Sequence, residues 1–155
     1  MAEAGQKAPD FDLATDTGER IKLSKLKGKP VVVYFYPKDD TSGCTKEAQA
    51  FTALGSAFAE AGVRVIGISP DSAESHAKFR AKYGLSVDLA ADPERKAIEA
   101  FGVWVEKSMY GKKYMGVDRS TFLIDGKGNV ARAWRKVKVP GHAEEVLAAA
   151  KALGA

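Results

Sequence analysis

The sequence predicts an α/β fold: a central mixed β-sheet with helices on both faces and an N-terminal β-hairpin. Three observations predict it. The run Val31-Val32-Val33-Tyr34-Phe35-Tyr36 is continuously β-branched and aromatic, as expected of a strand buried on both faces. Strand and helix signals then alternate along residues 31–101, the pattern of strands joined by helical crossovers. The C-terminal third changes pattern, to two strands around a tight turn and then a closing helix. With 155 residues, 45% of them hydrophobic, the chain has the size of one domain, taken as residues 1–155.

The elements follow in order. Phe11 to Leu13 and Ile21 to Leu23 flank Asp16-Thr17-Gly18, a turn signal, and predict the hairpin. Pro37 ends the first core strand, and a polar loop follows it. Thr45 to Ala61 reads as one helix, because Ala48, Phe51, Leu54 and Phe58 recur at three- and four-residue spacing before Gly62. Val63 to Ile68 is a second core strand. Pro70-Asp71-Ser72 caps a helix that carries Phe79 and Tyr83 and stops at Gly84. Val87 to Leu89 is a short strand, and Asp92-Pro93 opens a helix reaching about Phe101. Val103 to Gly116 has no clear periodicity, with Gly111-Lys112-Lys113 a candidate turn. Thr121 to Asp125 and Val130 to Val137 are strands joined by Gly126-Lys127-Gly128-Asn129, and Glu144 to Leu153 is the closing helix.

Composition excludes several function classes. No apolar run reaches the roughly 18 residues of a membrane helix. The start, MAEAGQKAPD, has no apolar core of the signal-peptide kind, so the expected compartment is cytoplasmic. The net charge of +4 is modest, and no nucleic-acid motif is present. The most basic stretch, Arg132 to Lys138, alternates like a solvated strand face. A single cysteine excludes an intramolecular disulfide and a Cys-rich metal site within one chain.

That cysteine, Cys44, sits among polar residues and glycine, after a core strand and at the start of a helix. Many lone cysteines are inert core residues. The first turn of a helix, however, has unpaired N–H groups and a partial positive charge, and both favour a thiolate. Thr41, three residues earlier, can turn its hydroxyl toward the same pocket. Gly43 lets the backbone approach without a side chain in the way.

Pro37-x-x-x-Thr41-x-x-Cys44 resembles the active-site signature of the peroxiredoxins. The longer run Tyr34 to Ala48 resembles the branch called bacterioferritin comigratory protein, or PrxQ. The similarity continues through Ala8-Pro9-Asp10-Phe11, Val65 to Ser69 and Arg119 to Asp125, and ends near Gly141-His142, so it covers nearly the whole chain. It implies a thioredoxin-like fold and a thiol peroxidase of antioxidant defence. The substrates implied are hydrogen peroxide and organic hydroperoxides, with no metal, haem or flavin cofactor.

The resemblance also implies roles. Cys44 is the peroxidatic nucleophile, and Thr41 hydrogen-bonds the attacked peroxide oxygen and the thiolate. Arg119 pairs with the thiolate and the developing charge. Pro37 shields the pocket, and the N–H groups of Gly43 and Cys44 bind peroxide oxygens. Glu47 is a candidate to orient Arg119, although an acid near a helix start is expected on dipole grounds alone. His76 and His142 are expected at the surface or in caps. Trp104, Trp134 and Met109 are expected to pack, and Tyr110 and Met115 could line the pocket mouth.

The sequence departs from the family pattern at one chemically important point. Many PrxQ-like chains carry a resolving cysteine five residues after the first, where this chain has Gln49. Others carry it on the next helix, where this chain has Phe79-Arg80-Ala81-Lys82. Ser42 also stands where a proline often precedes Gly43. A Cys44 sulfenic acid therefore has no second thiol in the chain to condense with. An external reductant (thioredoxin, glutaredoxin or glutathione) must close the cycle, and the expected state is a monomer. Two alternatives share the motif or the fold: a peroxide sensor or holdase that reacts once, and a thiol-disulfide oxidoreductase. The absence of Cys-x-x-Cys argues against the latter.

Overall fold

The computed structural model describes residues 2–154; Met1 and Ala155, the ends of the expected domain, lie outside them. Its centre is a five-stranded sheet built from β3 (Val31–Phe35), β4 (Arg64–Ser69), β5 (Asp88–Ala91), β8 (Ser120–Ile124) and β9 (Val130–Trp134). The spatial order is β5-β4-β3-β8-β9. β3, β4 and β5 run parallel, and β8 and β9 are antiparallel additions at one side. The mixed sheet follows from the connections: helical crossovers join the parallel strands, and a tight turn joins the antiparallel pair.

Strand alternation divides the core in two. Val31, Val33 and Phe35 point to one face, with Ile66, Ile68 and Phe122. The hairpin of β1 (Asp12–Ala14) and β2 (Arg20–Lys22) covers this face with α4 (Lys96–Ala100), through Leu13, Ile21, Ile98 and Phe101. Val32, Tyr34 and Tyr36 point to the other face, under α1 (Ser42–Ala53), α2 (Gly55–Glu60), α3 (Ala73–Tyr83) and α5 (His142–Gly154). Crossovers of one hand place α1 and α3 on the same side of the parallel strands. Tyr34 stacks on Phe51 with ring centroids 4.8 Å apart, joining β3 to α1.

Four sequence expectations are corrected. The helix expected over 45–61 begins earlier and is broken. Leu54 leaves helical geometry (φ −96°, ψ 8°), and α2 begins at Gly55. The break fits close packing: a Cβ on Gly55 would lie 3.1 Å from Ser86 Oγ, and Ser86 N–H donates to Thr52 Oγ1 at 3.1 Å. The helix expected from Asp92 starts at Lys96, because Arg95 is left-handed at φ 60°. Asp92 instead caps it, accepting from the N–H of Lys96 and of Ile98, each at 2.9 Å.

The unclear stretch 103–116 is an antiparallel ribbon of β6 (Trp104–Met109) and β7 (Lys112–Val117). Its two-residue turn is Tyr110-Gly111, both with positive φ, one residue before the expected site. Finally, β9 ends at Trp134 rather than Val137, with Lys136 left-handed at φ 49°.

Candidate active site

Sheet register assembles the site. β3 ends at Phe35, which pairs with Ser120 at the start of antiparallel β8. Arg119 therefore stands beside the end of β3, where the loop 37–41 leads into α1. The N–H of Val137 donates to the Arg119 carbonyl at 2.9 Å and fixes that backbone. Residues 75 apart in sequence meet in this way.

Thr41 is the N-cap residue of α1, so Ser42, Gly43 and Cys44 form its first turn. The amides of a first turn have no acceptor within the helix and direct their N–H groups outward. Cys44 is 1% exposed. Nη2 of Arg119 donates to Cys44 Sγ at 3.2 Å, and Nη1 donates to Glu47 Oε1 at 2.7 Å. The guanidinium fork thus bridges two side chains on one helix face, three residues apart. A Cβ on Gly43 would come within 3.1 Å of Arg119 Nη2, so the missing side chain is what admits the guanidinium.

Glu47 is 1% exposed and lies beyond the first turn of α1, which contains no acid. Its place is therefore set by Arg119 rather than by the helix end. Burial pushes its carboxyl up to about 7, against the lowering pull of the Arg119 charge and hydrogen bond. Its second oxygen, Oε2, is buried and has no protein partner among the described residues, the natural seat for a proton. Burial alone would lower the Arg119 pKa, but Glu47 and Cys44 together carry it above its ordinary value.

Thr41 differs from expectation. Its hydroxyl donates to the Lys38 carbonyl at 2.8 Å. A hydroxyl has one proton and two lone pairs. In this arrangement Thr41 can accept a hydrogen bond from a peroxide O–H but cannot donate to the thiolate. Pro37 is half-buried at the start of the same loop.

Other residues fall differently from their sequence readings. His76 and His142 are buried, at 0% and 5% exposure, not at the surface. His142 Nε2 lies 2.8 Å from Thr121 Oγ1, and burial lowers its pKa. Met109 is exposed rather than packed. Tyr110 is 97% exposed at the turn tip and Met115 is half-exposed. Trp104 and Trp134 do pack against the two cores. The basic stretch is mixed: Arg132 and Lys136 are exposed, while Arg135 donates to the Ala2 carbonyl at 2.7 Å.

Lys107 on β6 escaped the sequence reading, since a lysine in a polar stretch carries no signal. Burial lowers its pKa. The Arg119 charge adds to that lowering, and Asp118 and Cys44 oppose it, which places the ammonium within electrostatic reach of the site.

This arrangement can hold a buried thiolate against a guanidinium and outward-facing amides, which suits attack on a polarised bond. Comparison with known proteins agrees. Residues 4–133 match the AhpC/TSA family. Peroxiredoxin Bcp of Bacillus subtilis (strain 168) is 54% identical over 145 residues, covering 94% of this chain and 92% of the relative. The solved peroxiredoxin Q of Xanthomonas campestris superposes with a TM-score of 0.92 at 45% identity, over 98% of this chain and 99% of that one. A structure of the Xanthomonas campestris bacterioferritin comigratory protein, from work on its alkyl peroxide reduction activity, has a TM-score of 0.92. It is 44% identical over 99% of this chain and 100% of its own. The chain, with its thioredoxin-like sheet and its one cysteine in the first turn of α1, belongs to the AhpC/TSA family, in the Bcp/PrxQ branch of the peroxiredoxins.

Proposed function

We propose that the protein is a thiol-dependent peroxidase that reduces hydrogen peroxide and organic hydroperoxides through Cys44 alone, in antioxidant defence. One observation carries the reading: Arg119 donates to Cys44 Sγ at 3.2 Å where the first turn of α1 begins. The alkyl peroxide reduction activity of the Xanthomonas relative supports the organic substrates.

The Cys44 thiolate attacks one peroxide oxygen. An S–O bond forms as the O–O bond breaks, and the departing alkoxide or hydroxide takes a proton to leave as alcohol or water. Arg119 and the first-turn amides stabilise the charge that moves from sulfur to oxygen. Thr41 accepts from the peroxide O–H and aligns it, Pro37 shields the pocket, and Glu47 holds the guanidinium. The sulfenic acid then condenses with an external thiol, releasing water and leaving a mixed disulfide. A second equivalent of that thiol frees Cys44 and leaves as its own disulfide. Thioredoxin, glutaredoxin and glutathione are the candidate reductants. The working unit is a cytoplasmic single-domain monomer that needs no metal or organic cofactor.

The test is steady-state peroxide consumption with each reductant, and mass spectrometry of Cys44 after one equivalent of peroxide. Turnover with at least one thiol, a sulfenic acid or mixed disulfide on Cys44, and loss of both in Cys44→Ser are expected. Full consumption by Cys44→Ser would remove the mechanism. The single cysteine also suits a sensor that reacts once; a single turnover whatever thiol is supplied would favour it.

A further inference from the structure

The loop that leads into Cys44 is fastened by a buried polar cluster that the peroxidase chemistry does not use. Asp39 is buried although it is an acid in a loop. Its Oδ1 accepts from the Tyr36 hydroxyl at 2.6 Å. Its Oδ2 accepts from the Ser75 hydroxyl at 2.8 Å and lies 2.7 Å from His76 Nδ1. Its N–H donates to Asp71 Oδ2 at 2.8 Å, and that same oxygen accepts from the Ser69 hydroxyl at 2.6 Å. Asp40, left-handed at φ 60°, accepts from Lys82 Nζ at 2.7 Å and from the Tyr83 hydroxyl. Consecutive loop residues are thus tied to α3, which supplies Ser75, His76, Lys82 and Tyr83.

His76 is the one fully buried member on α3. Its Nε2 lies 3.0 Å from the Ala90 carbonyl oxygen on β5, while Nδ1 faces the Asp39 carboxylate. Both partners only accept. A neutral imidazole has one donor and one acceptor nitrogen, so either tautomer would set a lone pair against an oxygen. A ring protonated on both nitrogens satisfies both. Burial works against an ionised Asp39, but hydrogen bonds from His76, Tyr36 and Ser75 outweigh it and hold the carboxyl below its usual range.

The other groups around the ring do not compete for this role. The Tyr36 hydroxyl, 3.4 Å from Nδ1, is pushed far up by burial and stays neutral. Asp71 is occupied by Ser69 and the Asp39 amide. Lys82 is exposed and paired with Asp40. From β5 the Ala90 carbonyl oxygen lies 3.0 Å from Nε2, and Asp88 on the same strand accepts from Arg64 at 2.7 Å.

We propose that His76 is a positioning residue: as an imidazolium it binds Asp39 and so latches the 37–41 loop and the first turn of α1 in the register that sets Cys44 against Arg119. A ring that donates from only one nitrogen would set a lone pair against an acceptor oxygen, so the latch needs both ring donors. The latch is a property of the chain; only its effect on rate rests on the peroxidase reading.

The test uses Cys44→Ser, which removes the reactive thiol, alone and combined with His76→Asn or Asp39→Asn. In His76→Asn the side-chain amide can still donate to Asp39 but offers no second ring donor. Ring ¹⁵N spectra should show a proton on each His76 nitrogen; one unprotonated nitrogen overturns the proposal. Amide exchange of the three proteins is compared under one buffer condition. Protection of residues 38–45 should be about tenfold lower with Asp39→Asn than with Cys44→Ser alone, on the scale of one charge-assisted hydrogen bond. Protection at Val33 and Phe51 should hold. With His76→Asn the loop should exchange at an intermediate level. Equal loop protection in all three proteins refutes the latch. Stopped-flow peroxide attack on proteins that keep Cys44 should be slowed about tenfold by Asp39→Asn and less by His76→Asn. A protein inert to peroxide sinks the peroxidase reading, while the exchange data still decide the latch.

Discussion

Arg119 is the residue on which the site turns, because its fork meets Cys44 Sγ and Glu47 Oε1 at once. Arg119→Ala removes a donor aimed at developing charge and should slow peroxide attack about 10²-fold or more. Arg119→Lys should recover little, since one ammonium cannot reproduce the two-pronged geometry. Stopped-flow rates of Cys44 oxidation check both; unchanged rates would take Arg119 out of the mechanism. Glu47 makes a different prediction. Its carboxyl is raised from 4.5 to about 7 by burial, against the pull of Arg119. It therefore binds a proton more tightly in the folded state than in the unfolded chain. Its contribution to stability is complete below about pH 4.5 and is lost as pH rises through about 7. The wild type should lose on the order of 2–3 kcal/mol across that window from this group. Glu47→Gln, which does not titrate, should lack that slope. Urea midpoints at about pH 5 and about pH 8 test this; parallel behaviour of the two proteins would contradict it.

At the scale of elements, two glycines hold surfaces together for opposite reasons. Gly43 lies in the first turn of α1, where a Cβ would stand 3.1 Å from Arg119 Nη2. Alanine is a better helix former than glycine by about 1 kcal/mol. Gly43→Ala should therefore leave stability nearly unchanged while slowing Cys44 oxidation, because the guanidinium is displaced. A melting curve beside a rate measurement separates the two effects, and an unaltered rate would count against the close approach. Gly67 lies in β4, where a Cβ would meet the Tyr34 ring at 2.6 Å. That ring is locked by stacking on Phe51 and Tyr36. Gly67→Ala should cost about 1–3 kcal/mol by overpacking, measured by urea denaturation. The element boundaries that sequence missed share one cause: the local pattern was overruled by a contact from elsewhere. The helix after Cys44 breaks where Ser86 presses on Gly55. The β6–β7 ribbon is exposed over most of its length, so no buried stripe marks it.

Over the whole molecule, the absence of a second thiol has the largest consequence. Cys44 is buried, and no other cysteine exists to resolve its sulfenic acid. Oxidation without added thiol should stop after one equivalent of peroxide, and excess peroxide should drive Cys44 to sulfinic acid. Intact-mass analysis reads both; a disulfide within the chain is excluded by composition. Much of this was legible in the sequence. The apolar run 31–36, the alternation of strands with helices and the 126–129 turn determine an α/β sheet. Pro37, Thr41, Gly43 and Cys44 mark the candidate site, because they are close in the chain and each has a local conformational reason for its type. The family resemblance named Arg119 and Glu47, and tertiary structure supplied the contacts. The β3–β8 register brings Arg119 to Cys44, and on α1 Glu47 accepts from Arg119 Nη1 at 2.7 Å. His76, expected at the surface or in a cap, is buried against Asp39 because the fold closes α3 over the loop. Sequence determines periodicity, turns and local chemistry, since these depend on neighbouring residues. Burial, charge partners and protonation depend on groups far apart in the chain, and only the folded protein brings them within hydrogen-bonding distance.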